Sequence, residues 1–222
     1  IIAGSSFSKN TKSLGLKIIA LQSVHAADFD FFGPVAADIA IVDGNFWKDY
    51  LLQHNVDFNR IAVVCSSRYE FLKKTRKTSA HKPPSEGILD YPGKTIIFAT
   101  AYSSLAQGSI SCQSREKIRS VCNAMKNIKE AHLIMKLHPY EKDFSIYNNI
   151  ARETGLSNYS IKRDIEITEL LCHCDLLITH ISAVSYEAVL MDRNVISLCN
   201  DYDFCCEDVW DFKRYGAVIW ID

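Results

Sequence analysis

Residues 175–188 read DLLITHISAVSYEA, and this stretch decides the fold. It begins with a short apolar run, residues 175–179, which is typical of a buried strand. A tight turn with small hydroxyl residues follows, and Ser182 stands where a helix N-cap is expected. The order of strand, turn and helix is the repeating half of an α/β fold, in which helices cover a parallel sheet.

The same alternation extends in both directions along the chain. Apolar runs predict strands at residues 17–22, 38–42, 61–64, 95–101, 132–137, 159–162, 175–179, 194–199 and 217–221. Helical periodicity predicts helices at residues 44–54, 111–128, 143–154, 165–172 and 182–191, with Gly155 as a C-cap. Strands rich in Ile, Leu and Val on both faces, separated by helices, predict a parallel sheet covered on both sides.

The composition changes at residues 73–94, which are rich in Lys, Ser and Pro and have little hydrophobic periodicity. Such a stretch is typical of a linker, although its basic cluster could also bind phosphate or an acidic lipid. We therefore expect a domain at residues 1–72, a linker at 73–93 and a second domain at 94–222. The apolar pair Ile1-Ile2 is typical of a strand end, so the N-terminal domain is expected to be incomplete.

The overall composition is that of a soluble globular protein, with 48% hydrophobic, 23% charged and 11% aromatic residues. This excludes a disordered chain, a collagen-like chain and a small disulfide scaffold. The net charge of −1 provides no positive field for nucleic acid. No apolar run reaches the roughly 18 residues that span a membrane. We expect a cytoplasmic protein with at most peripheral association at the inner membrane face.

The eight cysteines lie mostly in apolar runs, and no C-x-x-C pair occurs, so reduced buried thiols are expected. The alternative is a zinc site with an unusual ligand spacing, built from Cys172, His173, Cys174, Cys205 and Cys206. A polar loop carries carboxylates that are expected to be solvated rather than catalytic: Asp201, Asp203, Glu207 and Asp208. No metal and no separate cofactor are expected.

Chemistry in a parallel sheet is expected just after the carboxyl ends of the strands. The stretches in those places are Tyr102-Ser103-Ser104, His138-Pro139, Asp164 and His180-Ile181-Ser182. His138 ends a strand that Pro139 stops, and an imidazole there can donate to a phosphate oxygen.

The turn after Thr179 predicts a second anion site. Free N–H groups at a helix N-terminus bind anions, and Ser182, Ser185 and Glu187 add polar character to the first turn. No G-x-G-x-x-G motif, Walker lysine or G-x-S-x-G elbow occurs in the sequence. This disfavours NAD enzymes, P-loop NTPases and α/β-hydrolases.

Two motifs carry a resemblance to a known family. The strand end K-L-H-P at residues 136–139 and the pattern D-L-L-I-T-x-x-S-x-x-x-x-E-A at 175–188 resemble the donor-binding half of GT-B transferases. The similarity is greatest to CDP-glycerol glycerophosphotransferases, to related capsule and teichoic-acid enzymes, and to bacterial sialyltransferases. Further segments resemble those of that family and occur in the same order along the chain, at residues 17–22, 37–42, 47–51 and 60–68.

The resemblance implies Rossmann-like parallel sheets of GT-B type, with the closing part of the acceptor-side domain at residues 1–72 and the donor nucleotide-binding domain at 94–222. It also implies a glycosyltransferase or glycerophosphotransferase. Such an enzyme would transfer a sugar or polyol phosphate, activated by CMP, CDP or another nucleotide, to a cell-surface glycan or polymer in polysaccharide biosynthesis. The implied catalytic residues are His25 and His138. The implied nucleotide-binding residues are Lys136, His138, Pro139, Thr179, His180, Ser182, Ser185, Glu187, Arg68 and Ser103.

The sequence departs from the family at two places. The family's L-Q-H-G is here Leu21-Gln22-Ser23-Val24, so either His25 replaces the histidine base or the chain is inactive. In the turn, His180, Ile181 and Ala183 replace the family's residues. The alternatives are an enzyme of the UDP-N-acetylglucosamine 2-epimerase type, which would need carboxylates in the cleft, and a nucleotide-binding module without catalysis.

Overall fold

The computed structural model describes residues 14–21, 37–64, 67–79, 91–100, 112–139, 141, 143–180, 182–198 and 219–221. The chain divides into two compact units. Among the described residues, the first unit ends at Phe71 and the second begins at Leu72.

The first unit contains a three-stranded parallel sheet in the order β1-β2-β3. Its described elements are β1 (Ile19–Leu21), β2 (Ile39–Val42), α1 (Asn45–Gln53), β3 (Ile61–Val63) and α2 (Ser67–Ser79). Helix α1 joins β2 to β3 and buries Trp47 and Leu51. The boundary between the units falls within α2.

The second unit contains a six-stranded sheet whose paired strands are all parallel. Its strands are β4 (Lys94–Ala99), β5 (Ala131–Lys136), β6 (Tyr159–Lys162), β7 (Leu176–Thr179), β8 (Asn194–Leu198) and β9 (Ile219–Ile221). Its helices are α3 (Cys112–Met125), α4 (Ser145–Thr154), α5 (Ile167–His173) and α6 (Ala183–Leu190). The strand order is β6-β5-β4-β7-β8-β9, which reverses between β4 and β7. In open α/β sheets, ligands bind outside the carboxyl ends of the strands at such a reversal.

The main core of the second unit lies between the sheet and helices α3 and α4. Alternate residues of β5, Leu133 and Met135, are fully buried in it together with Tyr147 of α4. The helical stripe predicted on α3 is buried there as well: Ile118, Val121, Cys122 and Met125. A sheet and helices with matching apolar faces hold the strand ends, and hence the loops that follow them, in fixed places.

The structure confirms the predicted parallel α/β class and most of its elements. Strand β6 has the predicted bounds, and Gly155 caps α4 with a left-handed φ of 76°. Helix α2 was not predicted: residues 73–79, which the sequence analysis assigned to the linker, are helical, and the division into domains at that linker stays a prediction. That stretch lacks Gly and Pro, its Lys and Arg residues favour a helix, and Leu72 is buried. Residues 80–90 lie outside the described part.

Candidate functional site

A cavity of about 380 Å³ lies at the carboxyl ends of β4 to β7 in the second unit. Its volume is within the usual range for small-molecule sites, roughly 300 to 1,000 Å³. The described residues that line it are Ala99, Thr100, Lys136, Leu137, His138, Pro139, Arg163, Asp164, Ile165, Glu166, Ile167, Ser182, Val184 and Glu187. The cavity therefore occupies the edge of the sheet where the sequence predicted chemistry.

His138 enters the cavity from the end of β5, and its main chain is fixed by hydrogen bonds. Its N–H donates to the Glu141 carboxylate (2.7 Å) and to the Thr100 hydroxyl (3.0 Å), and its carbonyl accepts from the Glu141 N–H (2.9 Å). Burial lowers the pKa of His138, the Glu141 charge raises it, and the Lys136 charge lowers it. The imidazole is therefore mainly neutral near neutral pH and can gain a proton beside an anion.

Lys136 brings a buried positive charge to the same wall. Its ammonium donates to the carbonyls of Leu137 and Arg163, both at 2.8 Å. Burial lowers its pKa, while the carboxylates of Glu166, Asp164 and Glu141 raise it. Because the ammonium bonds both carbonyls, Lys136 ties the ends of β5 and β6 together. Its charge also adds positive potential to the cavity.

The N-terminus of α6 forms another part of the lining. Ser182 is its N-cap, with extended backbone angles, and its hydroxyl accepts from the Val184 N–H at 3.4 Å. This confirms the predicted cap. Ser182 and Val184 both line the cavity, so the positive end of the helix dipole is close to the space beside His138.

Carboxylates complete the described lining. Glu187 lies one helical turn further along α6, is only 6% exposed, and lines the cavity. Asp164 and Glu166 follow β6, and Asp164 pairs with the Arg163 guanidinium at 2.9 Å. The sequence placed Asp164 at a strand end without giving it a role, and it missed Glu166, Arg163, Glu141 and Thr100.

Three residues predicted to bind the nucleotide have other surroundings, and the described lining leaves them out. Thr179 is fully buried, and its hydroxyl donates to the Ala99 carbonyl (3.1 Å), which joins β7 to β4. The Nδ1 atom of His180 lies 2.9 Å from the Lys117 ammonium. Ser185 is buried within α6. Their roles in binding stay predictions.

The remaining predicted site residues are scattered. Pro139 lines the cavity next to His138. Arg68 lies on α2 in the first unit, so its role in binding stays a prediction. His25 and Ser103 lie outside the described residues.

The described ranges contain neither a candidate metal cluster nor a helix that could span a membrane. Within them, no group of three or more His, Cys, Asp and Glu residues could hold a metal ion. Cys172 and Cys174 are free thiols there, and burial raises the pKa of Cys174 to about 12. The other residues of the proposed zinc site and of the acidic loop lie outside the described part. Among the described helices, none is long and apolar enough to cross a membrane.

Neither a protein-family model nor a curated protein matches this sequence. Solved structures do match. The UDP complex of MnaA from S. aureus aligns with a TM-score of 0.69 and 12% identity, over 96% of this chain and 57% of that one. UDP-GlcNAc 2-epimerase from Neisseria meningitidis bound to UDP-GlcNAc gives 0.64 and 10%, over 96% and 60%. The Methanocaldococcus jannaschii UDP-GlcNAc 2-epimerase with UDP-GlcNAc and UDP gives 0.64 and 14%, over 97% and 61%.

The fold is of the GT-B, Rossmann-like type. This confirms the predicted fold class, and similarity at these identities shows the fold alone. The chain spans roughly three fifths of the length of these three structures. The fold does not distinguish CDP-glycerol transferases or sialyltransferases from other proteins of the GT-B type.

Proposed function

We propose that this chain is the nucleotide-binding part of an enzyme that acts on a nucleotide-activated sugar. One observation carries the proposal: His138, the N-terminus of α6 and the buried carboxylate of Glu187 meet in one cavity. That cavity lies where the strand order of the second unit reverses. A positive helix end and an imidazole suit phosphate groups, and a buried carboxylate suits the hydroxyl groups of a ribose.

In this proposal, the phosphates lie between His138 and the cap at Ser182. When the bond from the phosphate to the sugar breaks, negative charge grows on the leaving phosphate. The imidazole, the N–H groups at the start of α6 and the Lys136 charge would offset it. Such fixed donors stabilise the charge without having to reorganise during the reaction.

The fold matches favour a uridine nucleotide, because the matched structures are described as complexes with UDP or UDP-GlcNAc. The sequence resemblance favours CMP or CDP. We therefore propose UDP as the preferred nucleotide. For the location, we propose the cytoplasm or the inner face of the membrane.

Two reactions fit a nucleotide-sugar cavity. The first is transfer of the sugar or polyol phosphate to a glycan or polymer acceptor, as the sequence motifs suggest. The second is epimerisation of a UDP-sugar, which requires groups that remove and return protons. A specific observation favours the second: Asp164, Glu166 and Glu187 supply the carboxylates that the sequence could not place.

Calorimetric titration of the full chain with UDP, CDP, CMP and GDP tests the binding proposal. We expect UDP to bind most tightly, with the purine nucleotide at least about tenfold weaker, which is 1.4 kcal/mol of binding free energy. Tightest binding of CDP would instead support the transferases of the sequence resemblance. Absence of binding by all four nucleotides would contradict the proposal.

Incubation with UDP-GlcNAc, followed by proton NMR, separates the two reactions. Appearance of the C2 epimer with UDP still attached indicates epimerisation. Release of UDP only when an acceptor glycan is present indicates transfer. Nucleotide binding with neither product indicates a module without catalysis.

A further inference from the structure

The Glu141 carboxylate joins groups from three parts of the second unit. One of its oxygens, Oε2, accepts from the His138 N–H at 2.7 Å and from the Thr100 hydroxyl. The other, Oε1, accepts from the Tyr147 hydroxyl. Thr100 follows β4, His138 follows β5, and Tyr147 belongs to α4. A single side chain therefore connects two strand ends and a helix.

This cluster is anchored in the core of the unit. Tyr147 is 1% exposed and packs in the main hydrophobic cluster. Its pKa is raised by burial, and also by the hydrogen bond to Glu141 and by the Glu141 charge, so the phenol keeps its proton and donates. Hydrogen bonds to a carboxylate are stronger than those between neutral groups, so they hold its position firmly.

The Glu141 main chain closes the turn that follows β5. Its N–H donates to the His138 carbonyl at 2.9 Å, while the side chain accepts from the His138 N–H. Pro139 restricts the backbone between them. Both polar main-chain atoms of His138 are thus fixed by one residue.

We propose that Glu141 is a positioning residue, which holds His138 in the orientation that contacts the phosphate of the bound nucleotide. The inference rests on the proposed function, because it requires that His138 contact the ligand. Glu141 itself does not touch the ligand in this arrangement; it acts through His138.

The charge of Glu141 and its geometry can be tested separately. Glutamine has the same shape and can accept from the His138 N–H with its oxygen while its amide faces Tyr147. Glu141→Gln therefore keeps the turn and removes the charge. The other charged groups nearest to His138 are Lys136, which lowers its pKa, and the carboxylates of the cavity wall. Loss of the Glu141 charge should thus shift the His138 pKa further down.

A double-mutant cycle with UDP as the probe tests the inference. Glu141→Ala, which removes the carboxylate and its hydrogen bonds, is measured in the wild-type and in the His138→Ala background by calorimetry, with the exposed Glu130→Ala as the matched control. We expect Glu141→Ala to weaken UDP binding about tenfold in the wild type and by less than about twofold when His138 is absent. Glu141→Gln, which keeps the bond to the His138 N–H, should weaken it less than Glu141→Ala. Equal weakening in both backgrounds, or none in the wild type, would overturn the inference.

NMR titration of the histidine side chains without ligand is an independent readout. We expect Glu141→Gln to lower the His138 pKa and Glu130→Gln to leave it unchanged. Circular dichroism shows whether each variant is folded, and Tyr147→Phe, which keeps the carboxylate charge, should alter the pKa less than Glu141→Gln. If UDP does not bind the wild type, the proposed function fails, while the titration still shows whether Glu141 is coupled to His138. An unchanged His138 pKa in Glu141→Gln would overturn that coupling.

Discussion

Strand β5 has a histidine near each end, and the two have different surroundings. The ring of His132 lies between Asn158 (2.6 Å) and Ser160 (3.0 Å), with Tyr91 stacked on it. The main chain of His138 bonds Glu141 and Thr100, and the residue lines the cavity. The first histidine links neighbouring strands of the sheet, whereas the second stands where a ligand in the cavity can reach it.

The strongest test of this difference is nucleotide affinity. His138→Ala should weaken UDP binding by about tenfold to a hundredfold, because a hydrogen bond to a charged phosphate contributes about 1.5 to 3 kcal/mol. It should also abolish turnover. His132→Ala should leave the affinity within about twofold. Titration calorimetry of both variants, each confirmed as folded, measures their affinity for UDP. Similar losses of affinity in the two variants would contradict the different roles of the two histidines.

The second test is the free energy of unfolding, which His132→Ala should lower more than His138→Ala. His132→Ala leaves the partly buried Asn158 amide and Ser160 hydroxyl without their bond to the ring. We expect it to lower the free energy of unfolding by about 1 to 2 kcal/mol. His138→Ala should cost less than about 1 kcal/mol, because the side chain is only partly buried and the main-chain bonds remain. Urea denaturation followed by circular dichroism measures both, with Ser160→Ala as a control of intermediate cost.

The smallest expected effect is on the pH dependence of the free energy of unfolding. The pKa of His138 is lowered, chiefly by burial, below the value of about 6.5 expected in the unfolded chain. As the pH falls below about 6.5, the unfolded state gains the proton first, so the free energy of unfolding decreases. His138→Ala should therefore flatten the decrease below about pH 6.5, and should parallel the wild type above about pH 7.

Nucleotide binding should change with pH in the opposite sense. A bound phosphate favours the protonated imidazole, so the wild type should gain affinity relative to His138→Ala as the pH falls. Calorimetry at several pH values checks this. A constant ratio between the two proteins would mean that His138 does not face the phosphate.

The sequence was informative where a residue type fixes the local backbone. Ser182 was identified as a cap and Gly155 as a helix end because few residue types suit those conformations. The site at the strand ends followed from the parallel topology. Helix α2 was missed because its weak apolar periodicity resembles that of a linker.

Contacts between distant segments could not be predicted. The Thr100–Glu141–Tyr147 cluster joins residues whose proximity depends on the pairing of β4 with β5. The direction of a strand-end side chain was equally hard to predict. Thr179 and His180 stay predicted ligand contacts, although the described lining of the cavity leaves them out. Asp175 is part of the motif at 175–188, yet its carboxylate bonds Lys94 and Thr95 at the amino end of β4.

The strand order also bears on how the site is assembled during synthesis. Strands β6, β5 and β4 form one half of the second sheet and precede β7, β8 and β9 in the chain. The residues that fix His138 lie between positions 100 and 147, within the earlier half. The chain leaves the ribosome with its N-terminal side first, whereas a domain generally folds as a unit. The residues of the histidine turn therefore emerge early, but the cavity is complete only when the later half adds Ser182 and Glu187.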